Sequence, residues 1–218
     1  MSYVLGVDGG TESLRAGVYD AAGRCLGTAA EAYETRFAAG ARAEQDPEHW
    51  WNALAVAVQG AVARAGVAPE AIRALALDTT CCSVVALDRN HRAVRPAIIW
   101  MDVRAGEEAA AVLATGEEAL KVNGAGRGPV SAEWMIPKAL WLSRHEPEQF
   151  AAATTICEYQ DFLTLRLTGE RVASLDNAGL RWHYDNRGGG WASHRRPACG
   201  DGAGVGRDGS ARGERLGG

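Results

Sequence analysis

The first twenty residues constrain the fold more than any other part of the chain. The run from Tyr3 to Asp8 is apolar and β-prone, a tight turn with two glycines (residues 9–13, the glycine turn) follows, and Leu14 to Asp20 is predicted as a second strand. A third strand is predicted from Cys25 to about Thr35. Three strands joined by short turns form an antiparallel meander. This excludes a standard dinucleotide-binding fold, because the first strand of that fold crosses over through a helix.

A helix is predicted directly after the meander. Asp46 can cap its N-terminus, Pro47 suits its first position and Gly66 can end it. Further strands are predicted at 72–78, 83–88 and 97–100, helices at 104–114 and 137–144, and a last strand and helix within 154–169. This order predicts an α/β fold with a mixed sheet, an antiparallel three-strand opening and helices on both faces.

Composition narrows the possible partners and compartment. Of the 218 residues 47% are apolar, which is enough for one full core, and the net charge of −4 gives no basic surface for nucleic acid. No apolar run reaches the ~18 residues of a bilayer span. Five cysteines without a CxxC pair form neither a disulfide framework nor a zinc site, and the N-terminus lacks a signal-peptide pattern. We therefore expect a cytoplasmic protein that binds neither nucleic acid nor membrane.

The end of the chain differs sharply from the rest. Of 27 glycines, 11 lie in the last 31 residues, which have only two aliphatic side chains of Val or Leu type. We expect a folded domain over residues 1–191 and a disordered Gly/Arg-rich tail over 192–218, because so few apolar groups cannot offset the ordering entropy. With 21 Arg and two Lys the gene is predicted to be GC-rich, and the tail has the composition of such a gene translated out of frame. A genuine flexible linker is the alternative, and resequencing the gene distinguishes the two.

The glycine turn is the most informative local feature. It places a carboxylate at the end of a buried strand, glycines that let backbone N–H groups approach an anion, and hydroxyls that can donate to phosphate oxygens. The carboxylate can hold Mg²⁺ through water, and an arginine on the return strand can reach the same phosphate. An ordinary hairpin whose aspartate caps the turn is the alternative. The candidate phosphate and metal residues are Asp8, Gly9, Gly10, Thr11, Ser13 and Arg15, with Asp8 as the metal ligand.

With this turn and the motifs that follow it, the chain resembles the FGGY carbohydrate kinases, which belong to the actin-like, ribonuclease-H-like ATPase superfamily. The resemblance extends over about Tyr3 to Trp191, with further motifs in the family's order at 44–51, 77–82, 95–104, 131–134, 137–142 and 161–169. Within the family, the chain is most similar to ribulokinases. The similarity lies in Asp78-Thr79 and in Ser131-x-Glu133-Trp134 together with Lys138. Xylulokinases usually carry a Gln-Met-His stretch in place of the 80–82 segment.

The resemblance implies phosphorylation of a terminal hydroxyl of a pentulose, ribulose in the first place, by ATP with Mg²⁺. It implies a set of sugar-contacting residues, namely Thr80, Cys81, Cys82, Trp100, Asp102, Arg104, Glu133, Trp134 and Lys138. Each of these residue types can also have a purely structural role. Cysteines are often small buried hydrophobic residues, and tryptophans are often core residues. An Asp–Arg pair can be a structural ion pair, and a lysine on a helix can be a solvated surface residue.

The resemblance also implies what the expected domain lacks. The family's general base and adenine-binding loops belong to a second domain, which we expect to be absent. We therefore expect this chain to be inactive alone, and a homodimer could form through the exposed face. Two alternative functions belong to other classes of protein. One is a non-catalytic module that binds a sugar or a partner, and the other is an actin-like assembly or chaperone ATPase.

Overall fold

The computed structural model describes residues 2–117, 120, 130–181, 183–185 and 190–191. The predicted tail at 192–218 lies outside the described residues, and its disorder stays a prediction. The strands are β1 Tyr3–Gly9, β2 Ser13–Tyr19, β3 Cys25–Ala32, β4 Arg36–Ala38, β5 Arg42–Gln45, β6 Ile72–Thr79, β7 Val84–Leu87, β8 Ala97–Ile98, β9 Thr155–Glu158, β10 Tyr184–Asp185 and β11 Gly190–Trp191. The helices are α1 Pro47–Ala65, α2 Gly106–Ala114, α3 Met135–His145, α4 Pro147–Ala152, α5 Tyr159–Thr168 and α6 Leu175–Arg181, with a short 3₁₀ turn at Pro69–Ala71.

A mixed four-stranded sheet carries the glycine turn. Its order is β3-β2-β1-β6, with β2 antiparallel to both β1 and β3, and with β6 parallel to β1. The antiparallel opening and the mixed sheet predicted from the sequence are therefore confirmed. Helix α1 connects β5 to β6, and β6 pairs with the first strand of the chain at the edge of this sheet.

One face of this sheet forms the main core. Side chains alternate along β1 and β2, so Leu5, Val7, Leu14 and Val18 point inward and pack against α1 and α5. Helix α1 lies so close to β3 that a Cβ on Gly27 would come within 2.5 Å of the backbone nitrogen of Ala65. The opposite face carries Asp8 and Arg15 and borders an open depression of about 680 Å³.

Five further strands form a second sheet, in the order β4-β5-β8-β7-β9. The sequence predicted β7, β8 and β9 but not their separation from the mixed sheet, and it missed β4 and β5 altogether. Both missed strands are short. Strand β4 pairs with β5, and β5 pairs with β8, more than fifty residues away. Such pairing is set by long-range contacts that local patterning does not encode.

Helix α1 follows its local signals closely. Asp46 Oδ1 accepts from the backbone N–H of Glu48 at 2.9 Å, and Gly66 ends the helix with φ of 64° in the left-handed region. Both predicted ends are confirmed. None of the helices in the described residues combines the length and apolar character needed to cross a bilayer.

Candidate functional site

The glycine turn connects β1 to β2 at the edge of the open sheet face. Asp8 and Arg15 are cross-strand partners in the hairpin register, and Arg15 Nη1 lies 3.2 Å from Asp8 Oδ2. Their side chains are 55% and 61% exposed, so a ligand can reach both. The predicted aspartate and arginine are thus next to each other, although an exposed pair of this kind contributes only about 0–1 kcal/mol to stability.

The two glycines of the turn serve different ends. A Cβ on Gly9 would lie 2.9 Å from Thr79 Cγ2 and from the ring of Tyr159, so this position tolerates no side chain. The N–H of Gly10 donates to Ser13 O at 3.0 Å and closes the turn internally. In this conformation the amide of Gly10 therefore stabilises the turn itself.

Buried donors contact the turn from behind. Tyr33 donates its hydroxyl hydrogen to Gly10 O, and Gln45 Nε2 donates to Thr11 O at 2.7 Å. Neither residue was a candidate from the sequence. Gln45 lies within the 44–51 motif, which was the available signal, whereas nothing local to Tyr33 indicates its contact with a turn 23 residues earlier.

Strand β6 brings a second carboxylate to the same face. Asp78 is the parallel register partner of Asp8, and both are exposed. Mg²⁺ is commonly bound by one or two carboxylates together with water and substrate phosphates, and this pair has that character. In the described part of the chain, three or more His, Cys, Asp or Glu side chains do not converge into a complete metal site. The two carboxylates present fit a Mg²⁺ ion that keeps several waters.

The predicted sugar residues at the end of β6 adjoin the turn through the backbone. Thr80 N–H donates to Gly9 O at 2.9 Å. Cys82 has φ of 65°, and its N–H donates to Glu158 Oε2 at 3.0 Å, so a buried carboxylate fixes this bend. The Sγ atoms of Cys81 and Cys82 lie 3.8 Å apart.

Trp100 also lies beside the turn. Its indole Nε1 donates to Thr11 Oγ1 at 3.1 Å, across 89 positions of sequence, and its side chain is partly exposed. A flat apolar surface next to a polar turn suits the carbon face of a sugar. Two candidates that the sequence placed in separate groups, one for phosphate and one for sugar, are in contact.

Asp102 and Arg104 lie inside the protein. Asp102 is fully buried, and its oxygens accept from Ala43 N at 2.7 Å and from Arg104 Nη2 at 2.6 Å. Burial lowers the pKa of Arg104, but its hydrogen bonds and ion pairs with Asp102 and Glu44 more than offset this, so the net pKa is raised. Glu44 also pairs with Arg95. This arrangement is a structural ion-pair network, and direct contact of Asp102 or Arg104 with sugar stays a prediction.

Lys138 is likewise fully buried. Its Nζ donates to Cys82 O at 2.8 Å and to Ile99 O at 2.7 Å, and desolvation lowers its pKa to about 8. The ammonium thereby joins the bend after β6 to the segment that carries Trp100. Direct contact of Lys138 with sugar also stays a prediction.

The segment 131–134 leads directly into α3. Glu133 N–H donates to Ser131 Oγ at 3.2 Å, and Trp134 precedes α3 and packs edge-on against His183 with 6.0 Å between ring centroids. Both side chains are partly buried. The structure therefore brings together the turn, the 80–82 segment and Trp100, and it buries the side chains of Asp102, Arg104 and Lys138.

Comparison with known proteins gives a consistent set of relatives. The chain is 34% identical over 181 residues to a xylulose kinase of Streptomyces coelicolor, covering 82% of this chain and 36% of that protein. It is 32% identical over 186 residues to a D-ribulokinase of Saccharomyces cerevisiae, covering 81% and 26%. The crystal structure of xylulose kinase from Rhodospirillum rubrum matches with a TM-score of 0.73 and 28% identity, covering 81% and 36%.

The chain spans about a third of the length of the curated relatives it matches. The family model described as the N-terminal domain of the FGGY family of carbohydrate kinases matches residues 3–200, which is most of the chain. The fold agrees with the resemblance seen in the sequence, because the solved relatives share this mixed α/β architecture. The chain therefore belongs to the FGGY family of carbohydrate kinases and contains its N-terminal domain.

Proposed function

We propose that this chain is the sugar- and phosphate-contacting part of a kinase that transfers the γ-phosphoryl group of ATP to a terminal hydroxyl of a pentulose. The observation that carries the proposal is the contact between Trp100 and Thr11, because it joins a surface suited to sugar with a turn suited to phosphate. Phosphoryl transfer depends mainly on positioning and charge stabilisation, and adjacent sites for the two reactants meet the first requirement.

Each part of the site has a role in this proposal. Backbone N–H groups of the glycine turn and the Thr11 hydroxyl bind phosphate oxygens, and Arg15 adds a positive charge on the exposed face. Asp8 would hold Mg²⁺ through water, with Asp78 beside it. When bound, the metal neutralises phosphate charge. The bend at 80–82 and the face of Trp100 border the sugar.

The proton of the attacking hydroxyl requires a base, and we assign none among the candidate residues. Because the chain spans about a third of its relatives, we propose that the base and the adenine contacts belong to the remaining length. The chain alone should then bind its ligands and give little or no turnover.

The preferred sugar is ribulose, since the 80–82 segment of this chain lacks the Gln-Met-His stretch usual in xylulokinases. Xylulose is the second candidate, because several relatives carry the name xylulose kinase. The test is a thermal-shift titration with D-ribulose, L-ribulose, D-xylulose and ribitol, run with a coupled ADP assay.

We expect stabilisation by a pentulose and turnover far below the ~1–100 s⁻¹ typical of kinases. Ordinary turnover would contradict the proposed inactivity of the chain alone. Absence of any shift with all four sugars would contradict the sugar site. Nucleotide-dependent polymerisation in light scattering would favour an actin-like assembly ATPase instead.

A further inference from the structure

The structure assigns Gln45 and Tyr33 as positioning residues: they turn the carbonyl groups of the glycine turn inward, so that the N–H groups of Thr11 and Glu12 face the space where a phosphate binds. This assignment rests on the proposed function, since it concerns how the turn becomes an anion site. It adds two residues from outside the turn to that site.

Four consecutive carbonyl groups of the turn accept hydrogen bonds from elsewhere in the protein. Gly9 O accepts from Thr80 N–H at 2.9 Å, and Gly10 O accepts from the Tyr33 hydroxyl. Thr11 O accepts from Gln45 Nε2 at 2.7 Å, and Glu12 O accepts from Tyr33 N–H at 3.0 Å. Every carbonyl from residue 9 to residue 12 is therefore directed at the protein.

The planar trans peptide converts these contacts into a direction for the amides. Within one peptide unit the N–H of the following residue points opposite to the C=O. Since Gly10 O and Thr11 O point into the protein, the N–H groups of Thr11 and Glu12 point away from it. Successive N–H groups facing one side form an anion-binding concavity.

Gln45 can act in this way because its amide has one allowed orientation. Trp50 Nε1 is a donor only, and it donates to Gln45 Oε1 at 2.8 Å. The amide nitrogen must then face the turn, where it reaches Thr11 O and also Thr35 Oγ1, each at 2.7 Å. Gln45 is 3% exposed, so water cannot replace these partners.

Tyr33 has a similarly defined role. Its single hydroxyl hydrogen goes to Gly10 O, so in the 3.1 Å contact with Tyr159 the hydroxyl of Tyr159 must be the donor. Burial raises the pKa of Tyr33 from 10.0 to about 12, so its hydroxyl keeps the hydrogen even in moderately alkaline solution. Tyr159 is itself fixed against the Trp50 ring, with 3.9 Å between centroids.

The test uses the 218-residue chain labelled with ¹⁵N and titrated with Mg·ATP, following the amide signals of Thr11 and Glu12. In the unmodified chain we expect these two signals to shift with ligand. Gln45→Met keeps the approximate shape of the side chain and removes its three hydrogen bonds, to Thr11, Thr35 and Trp50, and we expect it to weaken binding at least tenfold. Gln59→Met on the exposed side of α1 is the matched control and should bind as the unmodified chain does.

A purely stabilising role would lower the melting temperature of Gln45→Met but leave its affinity for Mg·ATP unchanged, and that result would overturn the inference while the proposed function stands. If the amide signals of Thr11 and Glu12 in the unmodified chain do not shift with Mg·ATP, the turn is not a phosphate site. That result would contradict both the proposed function and this inference. Should Gln45→Met not fold, Tyr33→Phe removes only the hydroxyl. We expect it to weaken binding severalfold, and unchanged affinity there would equally overturn the inference.

Discussion

The indole N–H of Trp100 donates to the hydroxyl oxygen of Thr11 at 3.1 Å. Because this bond occupies an acceptor position of the hydroxyl, the hydrogen of Thr11 remains available for a phosphate oxygen. One residue of the glycine turn is thereby fixed on two sides, by Trp100 at its side chain and by Gln45 at its carbonyl.

Trp100→Phe should weaken Mg·ATP binding while keeping a flat apolar surface. A neutral hydrogen bond contributes about 0.5–1.5 kcal/mol, which corresponds to roughly a 2- to 12-fold change in affinity. Titration calorimetry measures this change. Trp51→Phe, on α1 beneath the Arg166 guanidinium, is the control and should leave the affinity unchanged. Equal affinities for Trp100→Phe and the unmodified chain would show that the contact with Thr11 does not orient the hydroxyl.

Gly9→Ala should destabilise the fold. The new Cβ would lie 2.9 Å from both Thr79 and the Tyr159 ring, and overpacking of this kind costs about 1–3 kcal/mol. Gly106→Ala, at the first position of α2 with open space around it, should be neutral or stabilising by up to about 1 kcal/mol. Urea unfolding of the two variants gives the comparison. Similar unfolding free energies would mean that the turn can shift to accommodate a methyl group.

Lys138 predicts a specific dependence of stability on pH. Burial lowers its pKa from 10.5 to about 8, so between these values the unfolded chain holds more protons than the folded one. Stability from this group therefore rises as pH increases from about 8 to 10.5. Below that range both states are protonated and the contribution is constant.

The measurement is the difference in unfolding free energy between the unmodified chain and Lys138→Met at each pH, which cancels the titration of other groups. We expect this difference to shift in favour of the unmodified chain between pH 8 and 10.5. A flat difference across that window would show that Lys138 keeps an ordinary pKa in the folded protein.

The ion-pair network predicts a contrast between two glutamates. Glu44 contacts both Arg95 and Arg104, whose side chains are 7% and 3% exposed. Glu44→Gln removes a charge that two buried guanidinium groups require, and we expect a loss of about 1–3 kcal/mol. Glu48→Gln, in the more exposed pair with Arg166, should cost less than about 1 kcal/mol. Equal losses of unfolding free energy for the two variants, measured by urea unfolding, would show that the charge of Glu44 is not what stabilises the network.

Local sequence patterns predicted the elements whose signals are themselves local. The ends of α1 followed from Asp46 and Gly66, and the first hairpin followed from alternating apolar residues around a glycine turn. The candidate site was predicted in the same way, since Asp8, Thr11 and Arg15 lie within one hairpin. Helix caps and tight turns depend on a few neighbouring residues, so they can be predicted directly from the sequence.

The partners of these elements were not predictable from the sequence. The position of Gln45 behind the turn became visible only in the folded chain, as did the burial of Lys138 against backbone carbonyl groups. A lysine on a helix has the same sequence whether it faces solvent or two backbone carbonyls. The sequence by itself determined the hairpin, the turn and the family. Only the tertiary structure decided which polar side chains are buried as supports and which face a ligand, because burial depends on elements that are distant in sequence and meet on folding.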